Sequence, residues 1–195
     1  MKRFLITLLV LMVITGCKKE LKPYANSVVD DLTVATLTGY RNVPARSDYV
    51  KQGDFVVADK LHQNGGSFIL YLGFPKCPYC FDFFPVLFEV VEKYEVPIVY
   101  LNILEIQNNL GGYENTINDK FFNKFMETYD NYLEYNEDGE KDIEFPFILF
   151  VKEGKVIFTH IGTVSNHDAH QEPLTEAQRE KLYKIIDKAF IKFLT

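Results

Sequence analysis

Three stretches of the chain, Phe68–Leu72, Val96–Ile103 and Phe145–Val151, are apolar almost without a break and have the length of a strand. Runs of that kind, with no alternation, are expected of strands covered on both faces. Val156–Ile161 does alternate. It follows Lys152-Glu153-Gly154-Lys155, a short loop containing glycine, and so reads as the antiparallel partner of the third run. Between the strands the period changes. Phe84, Leu87, Val91 and Tyr94, with Val90, form one helical stripe that contains Pro85. A proline inside a helix removes one hydrogen bond and kinks it. Phe121, Phe122, Phe125, Met126, Tyr129 and Leu133 mark a second helix, with Asn118 as its cap, and packing on the sheet is the favoured use of its aromatic stripe over a substrate groove. Leu182, Ile185, Ile186, Ala189, Phe190 and Phe193 mark a closing helix behind the capping box Thr175-Glu176-Ala177-Gln178.

The remaining segments carry weaker signals. Residues 47–63 have room for a first strand and a short helix, stopped at Asn64-Gly65-Gly66. In residues 28–46, Val34, Thr36 and Thr38 alternate with Ala35 and Leu37, as in an edge strand or extended segment. Gly111-Gly112 interrupts the interval 104–142, and Glu137–Asp142 reads as a solvated acidic turn. The order strand, helix, strand, helix, strand, hairpin strand, helix implies an α/β fold with a central mixed sheet flanked by helices.

The first residues change the picture of where this fold works. Lys2 and Arg3 precede an apolar stretch, Phe4–Ile14, which is short for a membrane span of about 20 residues and suits a signal peptide. Ile14-Thr15-Gly16-Cys17 resembles the bacterial lipobox, whose cysteine receives diacylglycerol and becomes the mature N-terminus. The expected organisation is a signal peptide over 1–16, a lipid-anchored tether and extension over 17–46, and one domain over 47–195 with an insertion at 104–142. The expected location is the outer face of the cell membrane, held by lipid on Cys17. Without Lys2 and Arg3 the chain has 19 basic against 27 acidic residues, a charge of −8. That balance argues against nucleic acid and against a polybasic membrane patch. A composition of 47% hydrophobic and 15% aromatic residues is that of a globular domain.

The chain has three cysteines. With Cys17 lipidated, Cys77 and Cys80 remain as a pair in a compartment that permits disulfides. They form Cys77-Pro78-Tyr79-Cys80, at the point where the strand over 68–72 turns into the proline-containing helix. At a helix N-terminus the first sulfur meets unpaired N–H groups and the positive end of the dipole, which favour its thiolate. Lys76 adds positive charge beside it, and Pro78 suits the first turn, where its missing N–H is not needed. Cys80 is placed one turn along, to attack a mixed disulfide formed by Cys77. Two other readings compete. A structural disulfide would close too small a loop to constrain much of the unfolded chain. A zinc half-site would need about two more ligands, for which His167-x-x-His170, in a polar loop where surface histidines are ordinary, is the available source.

The segment from Phe68 onward resembles the thioredoxin family. The resemblance rests on four features in this order: the apolar strand entering Cys77-Pro78-Tyr79-Cys80; Pro85, five residues after the second cysteine; Phe145-Pro146 opening the next strand; and the hairpin from Phe147 through Lys152-Glu153-Gly154-Lys155 to Gly162. It covers 68–103 and 143–195. The pattern Tyr71-Leu72-Gly73 leading to the cysteines of a lipoprotein is also similar to thioredoxin-like proteins described as bacteriocin transport accessory proteins. The resemblance implies a thioredoxin-like fold with a helical insertion before a cis-proline strand. In it Cys77 is the nucleophile, Cys80 the resolving thiol and Pro146 the cis-proline. Phe145, Tyr79 and Pro78 meet the substrate, and the Cys77–Cys80 disulfide is the redox group in place of any bound cofactor or metal. Two departures stand out. Lys76 occupies the place of the family's tryptophan, and Tyr71 that of its buried aspartate, six residues before the first cysteine. Proton transfer during resolution must then use another group or water. The Pro-Tyr pair between the cysteines is glutaredoxin-like.

The implied activity is that of a membrane-anchored thiol–disulfide oxidoreductase, acting on thiols or disulfides of exported proteins or peptides and recycled by a membrane redox partner. The alternative is an accessory protein whose thiols serve one dedicated partner in export or maturation of a secreted peptide. A metal-handling protein using Cys77, Cys80 and a histidine is a third reading.

Overall fold

The structure, a computed structural model, describes residues 24–109 and 116–195. The expected signal peptide over 1–16, Cys17 and the expected break at Gly111-Gly112 lie outside the described residues. A five-stranded sheet carries the fold, built from β1 (Val50–Gly53), β2 (Phe68–Gly73), β3 (Ile98–Asn102), β6 (Phe147–Lys152) and β7 (Lys155–Ile161). The strand order is β1-β3-β2-β6-β7, with β1, β3 and β2 parallel and β6 and β7 antiparallel to their neighbours. β2 is the central strand, and all six of its residues are buried. Its unbroken apolar run follows from that position, because each face of the sheet needs its own core.

The two faces separate by residue parity. Ile69, Tyr71, Ile98, Tyr100, Ile148 and Phe150 point toward α3 (Pro78–Tyr94) and α6 (Glu176–Leu194). Phe68, Leu70, Leu72, Val99, Leu101 and Leu149 point toward α2 (Phe55–Gln63) and α5 (Thr116–Tyr129). The result is a mixed α/β sandwich with helices on both sides of the sheet, as the sequence pattern requires. On the first face α3 and α6 lie together. Tyr94 stacks on Phe190 at 5.7 Å between ring centroids, and Asp187 accepts hydrogen bonds from Lys93 and the Tyr94 hydroxyl at 2.6 and 2.9 Å. The capping box at Thr175 is present, with Gln178 completing it.

The interval between β3 and β6 is helical and then hairpin-like. After α4 (Ile103–Asn109), α5 packs on α2 through Phe55, which meets Phe122 and Phe125 edge-on at 5.3 and 5.4 Å. The helix begins at Thr116, so Asn118 lies within its first turn and not at the cap. The acidic run is part of a small ribbon, β4 (Glu134–Tyr135) paired with β5 (Lys141–Asp142) around Gly139, whose φ is +78°. Asn136 closes that turn by accepting from the N–H groups of Asp138 and Glu140.

The segment ahead of β1 is attached to the domain from Tyr24 onward. Tyr24 and Asn26 donate to the Ser67 carbonyl, and Asn26 also caps the short helix α1 (Ser27–Asp30). Ala35 and Leu37 are buried, while Thr36 and Thr38 face out, so the alternation seen in the sequence is real. The segment is held at the outer edge of β1 by hydrogen bonds from Ala35 N to Val50 O and from Gln52 N to Thr33 O, both 2.8 Å, with one bridge between Val34 and Lys51. Too few pairs form for a strand of its own.

Candidate active site

β2 ends at Gly73, and the chain turns through Phe74-Pro75-Lys76 to place Cys77 as the N-cap of α3. Pro78 takes the first helical position, where no backbone donor is needed. Both cysteines are free thiols; Cys80 is fully buried and Cys77 is 8% exposed. Cys77 Sγ accepts from the Cys80 backbone N–H at 3.3 Å. Its thiol also lies 3.9 Å from the Phe145 carbonyl, and the Phe145–Pro146 peptide is cis. The loop before β6 thus faces the first cysteine, with Pro146 O tied to Gly162 N at 2.9 Å. Phe145 is half-buried and meets Phe74 edge-on at 5.8 Å.

The electrostatics divide the two sulfurs. Cys77 is lowered from 9.0 to about 7, chiefly by the hydrogen bond from the Cys80 thiol and then by the backbone N–H groups of Cys80 and Tyr79, against the opposing effect of burial. Cys80 is pushed up, first by burial and then by its bond to Cys77 and the Cys77 charge. One thiol is therefore poised to be a nucleophile near neutral pH while the other keeps its proton. Lys76, expected to supply the positive charge, is exposed and is not among the groups responsible for this lowering. Hydrogen bonds from the helix end take that role.

Behind Cys80 stands a cluster of phenols. Tyr71, in β2, is fully buried, stacks parallel to Phe83 at 5.8 Å, and has a hydroxyl with no hydrogen-bond partner among the described residues. Tyr40, from the segment ahead of β1, stacks on Phe84 at 4.2 Å, and its hydroxyl is 3.2 Å from that of Tyr100.

On its outer side the start of α3 is pinned by Asp82, a residue that is 5% exposed. Asp82 pairs with Arg41 and lies 3.3 Å from His167 Nε2. His167, expected at the surface of a polar loop, is instead buried, whereas His170 is exposed. Its Nε2 faces two acceptors, Asp82 and the Glu172 carbonyl at 3.0 Å, so that nitrogen carries a hydrogen; Nδ1 meets the Thr163 hydroxyl at 2.7 Å. Tyr79 packs edge-on against both His167 and His170, at 5.9 and 5.6 Å, and its hydroxyl reaches Asp168 at 3.4 Å. An open cleft of about 460 Å³ runs beside Tyr79, lined also by His160, Gly162, Thr163, Lys181 and Ile185. Sequence reasoning missed Asp82 and Arg41, and it singled out His167 without its buried place beside Asp82. The signal for Asp82 was available: one charge in Phe81-Asp82-Phe83-Phe84, on a helix otherwise made to be buried.

Among the described residues, no group of three or more His, Cys, Asp or Glu side chains converges as metal ligands would. No helix of the described residues is long and apolar enough to cross a membrane. No family model matches the chain, and no curated protein matches it. Among solved structures the chain is similar to a thioredoxin from Aeropyrum pernix, at 15% identity over 69% of this chain and 81% of that one, with a TM-score of 0.39.

Proposed function

We propose that the chain is a thiol–disulfide oxidoreductase whose working group is the Cys77–Cys80 pair. The observation that supports this most directly is the division between the sulfurs: a thiolate-prone Cys77 at the helix N-cap, facing the Phe145 carbonyl, with a buried, protonated Cys80 one turn behind it. A structural disulfide would need no such asymmetry. In the reducing direction Cys77 attacks a substrate disulfide, forming a mixed disulfide and releasing one substrate thiolate. Cys80 then attacks the Cys77 sulfur, the intramolecular disulfide forms, and the second substrate thiol leaves with the two electrons. The reverse sequence oxidises a dithiol. The Phe145 backbone beside Cys77 suits an extended peptide, and Pro146, which has no N–H, leaves that edge open. Pro78 and Tyr79 border the same surface, with Tyr79 held against the His167–His170 loop.

The lipobox at Cys17 supports an anchor on the outer face of the cell membrane, with exported proteins or peptides as substrates and a membrane redox partner for recycling. Cys17→Ser would then move the protein from the membrane to the soluble fraction. A redox titration of the soluble domain against glutathione or dithiothreitol places the couple between a reductant near about −270 mV and an oxidant near about −120 mV. Cys77→Ser abolishes disulfide exchange, and Cys80→Ser accumulates mixed disulfides; turnover that survives Cys77→Ser overturns the reading. The same trap separates a general catalyst from an accessory protein for one secreted peptide, by whether many partners or one dominant partner are captured.

A further inference from the structure

Tyr71 presents an anomaly that the dithiol chemistry does not use. Its hydroxyl is fully buried and unpartnered, and leaving such a group unmade costs about 1–3 kcal/mol. A phenylalanine would fill the same space at no such cost, and this chain places phenylalanines all around it, at positions 83 and 84. The hydroxyl points over Gly73 toward the resolving cysteine. A Cβ on Gly73 would meet the Tyr71 hydroxyl at 2.7 Å and Cys80 Sγ at 2.9 Å, so the two share the space that the glycine leaves empty. The other polar neighbours, the Tyr40 and Tyr100 hydroxyls, lie 3.2 Å from one another.

We propose that the Tyr71 hydroxyl is the hydrogen-bond donor that stabilises the Cys80 thiolate while Cys80 attacks the mixed disulfide, at the position where the resemblance would put a carboxylate. The inference rests on the dithiol reading. In the resting protein Cys80 is a thiol, a weak acceptor, and the hydroxyl makes no hydrogen bond among the described residues. In the resolving step the bond between Cys77 and the substrate sulfur breaks, and a bond between Cys77 and Cys80 forms. Two electrons depart with the substrate sulfur, and the Cys80 proton passes to buffer water or onto that sulfur. Negative charge develops on Cys80 with no cation among the groups that act on it, and the O–H···S⁻ bond gains strength as that charge appears. Tyr71 keeps its own proton throughout, because burial raises its ionisation far above the ordinary phenol value. It acts as a donor, not as a base. An interaction that strengthens as charge develops speeds the step, whereas one equally strong throughout would not.

The experiment uses the full chain carrying Cys17→Ser, so that Cys77 and Cys80 are its only thiols. The reduced protein is mixed with excess dithiobis(nitrobenzoate), and release of the coloured thiolate is followed by stopped flow. One equivalent reports attack by Cys77, and a second reports resolution by Cys80. Tyr71→Phe should leave the first phase unchanged and raise the melting temperature, because the unpartnered hydroxyl is removed. It should slow the second phase about ten- to hundredfold, the range for one hydrogen bond to a charged group, with the pH at which that phase saturates moved upward. Tyr100→Phe, which removes a hydroxyl of the same cluster, should leave the second phase alone. A second phase in Tyr71→Phe equal to that of the parent overturns the proposal. So does equal slowing by Tyr100→Phe, which would assign the effect to packing. A parent protein that releases no second equivalent removes the dithiol reading and the proposal together.

Discussion

Two cysteines three residues apart have the same side chain and opposite surroundings. Cys77 sits where N–H groups converge, while Cys80 sits against Tyr71 and the core with no charge to favour its ionisation. The sign of the pH dependence follows. The thiolate is the nucleophile, and its fraction at Cys77 rises as pH passes the lowered value. Alkylation of the reduced protein by iodoacetamide should therefore quicken with a midpoint near about pH 7, level off above it, and modify Cys77, with Cys80 silent through that range. Peptide mapping with pH-dependent rates checks this. A profile centred near the ordinary thiol value of 9.0 would mean that the helix end does not reach the sulfur. The pair, its order and the place of Pro78 were legible in the sequence, because helix caps are local. The source of the lowering was not. Lys76 is adjacent in sequence yet exposed, and the effective groups are set by where Cys80 turns its thiol.

At the scale of elements, the aromatic stripe of α5 is used for packing. Phe125 is 4% exposed, packs edge-on to Phe55 and lies 4.7 Å from the Tyr129 ring. Phe125→Ala should cost about 3–5 kcal/mol through lost transfer energy and the cavity left behind. The loss should be local in character. α5 contacts the domain chiefly through α2, so amide exchange should rise first in those two helices while β2 and β3 stay protected. Denaturant unfolding and hydrogen exchange on the variant measure the two parts. The stripe itself was readable from its spacing. Its partner helix was not, since Phe55 precedes Phe122 and Phe125 by about seventy residues and only the folded chain brings them together.

On the scale of the whole molecule, Asp82 joins three segments far apart in sequence: Arg41 ahead of β1, the start of α3, and His167 between β7 and α6. Asp82→Ala removes the shared acceptor and leaves buried His167 without its carboxylate. Breaking a fully buried pair costs about 3–5 kcal/mol. Arg41 is 39% exposed and so partly screened, which brings the expected loss to about 2–3 kcal/mol. A shift of the urea midpoint with unchanged slope tests it, and the segments around Arg41 and His167 should both exchange faster. The same tie makes residues 24–46 part of the folded unit, with Tyr40 and Leu37 in its core.

The sheet, its central strand, the two flanking layers and the cysteine pair at the start of α3 were determined by the sequence alone. Their signals are periodicity, caps and a motif, and each is read within about twenty residues. What only the tertiary structure decided is what surrounds the pair. A charge at position 82 is visible in the chain, but its pairing with positions 41 and 167 is not; nor is the meeting of Tyr71 with Cys80 over a glycine. Those contacts are fixed by which strands lie side by side and by how two loops return to the start of α3. Such long-range closure leaves no local pattern, because each partner satisfies its own segment's rules equally well without the other.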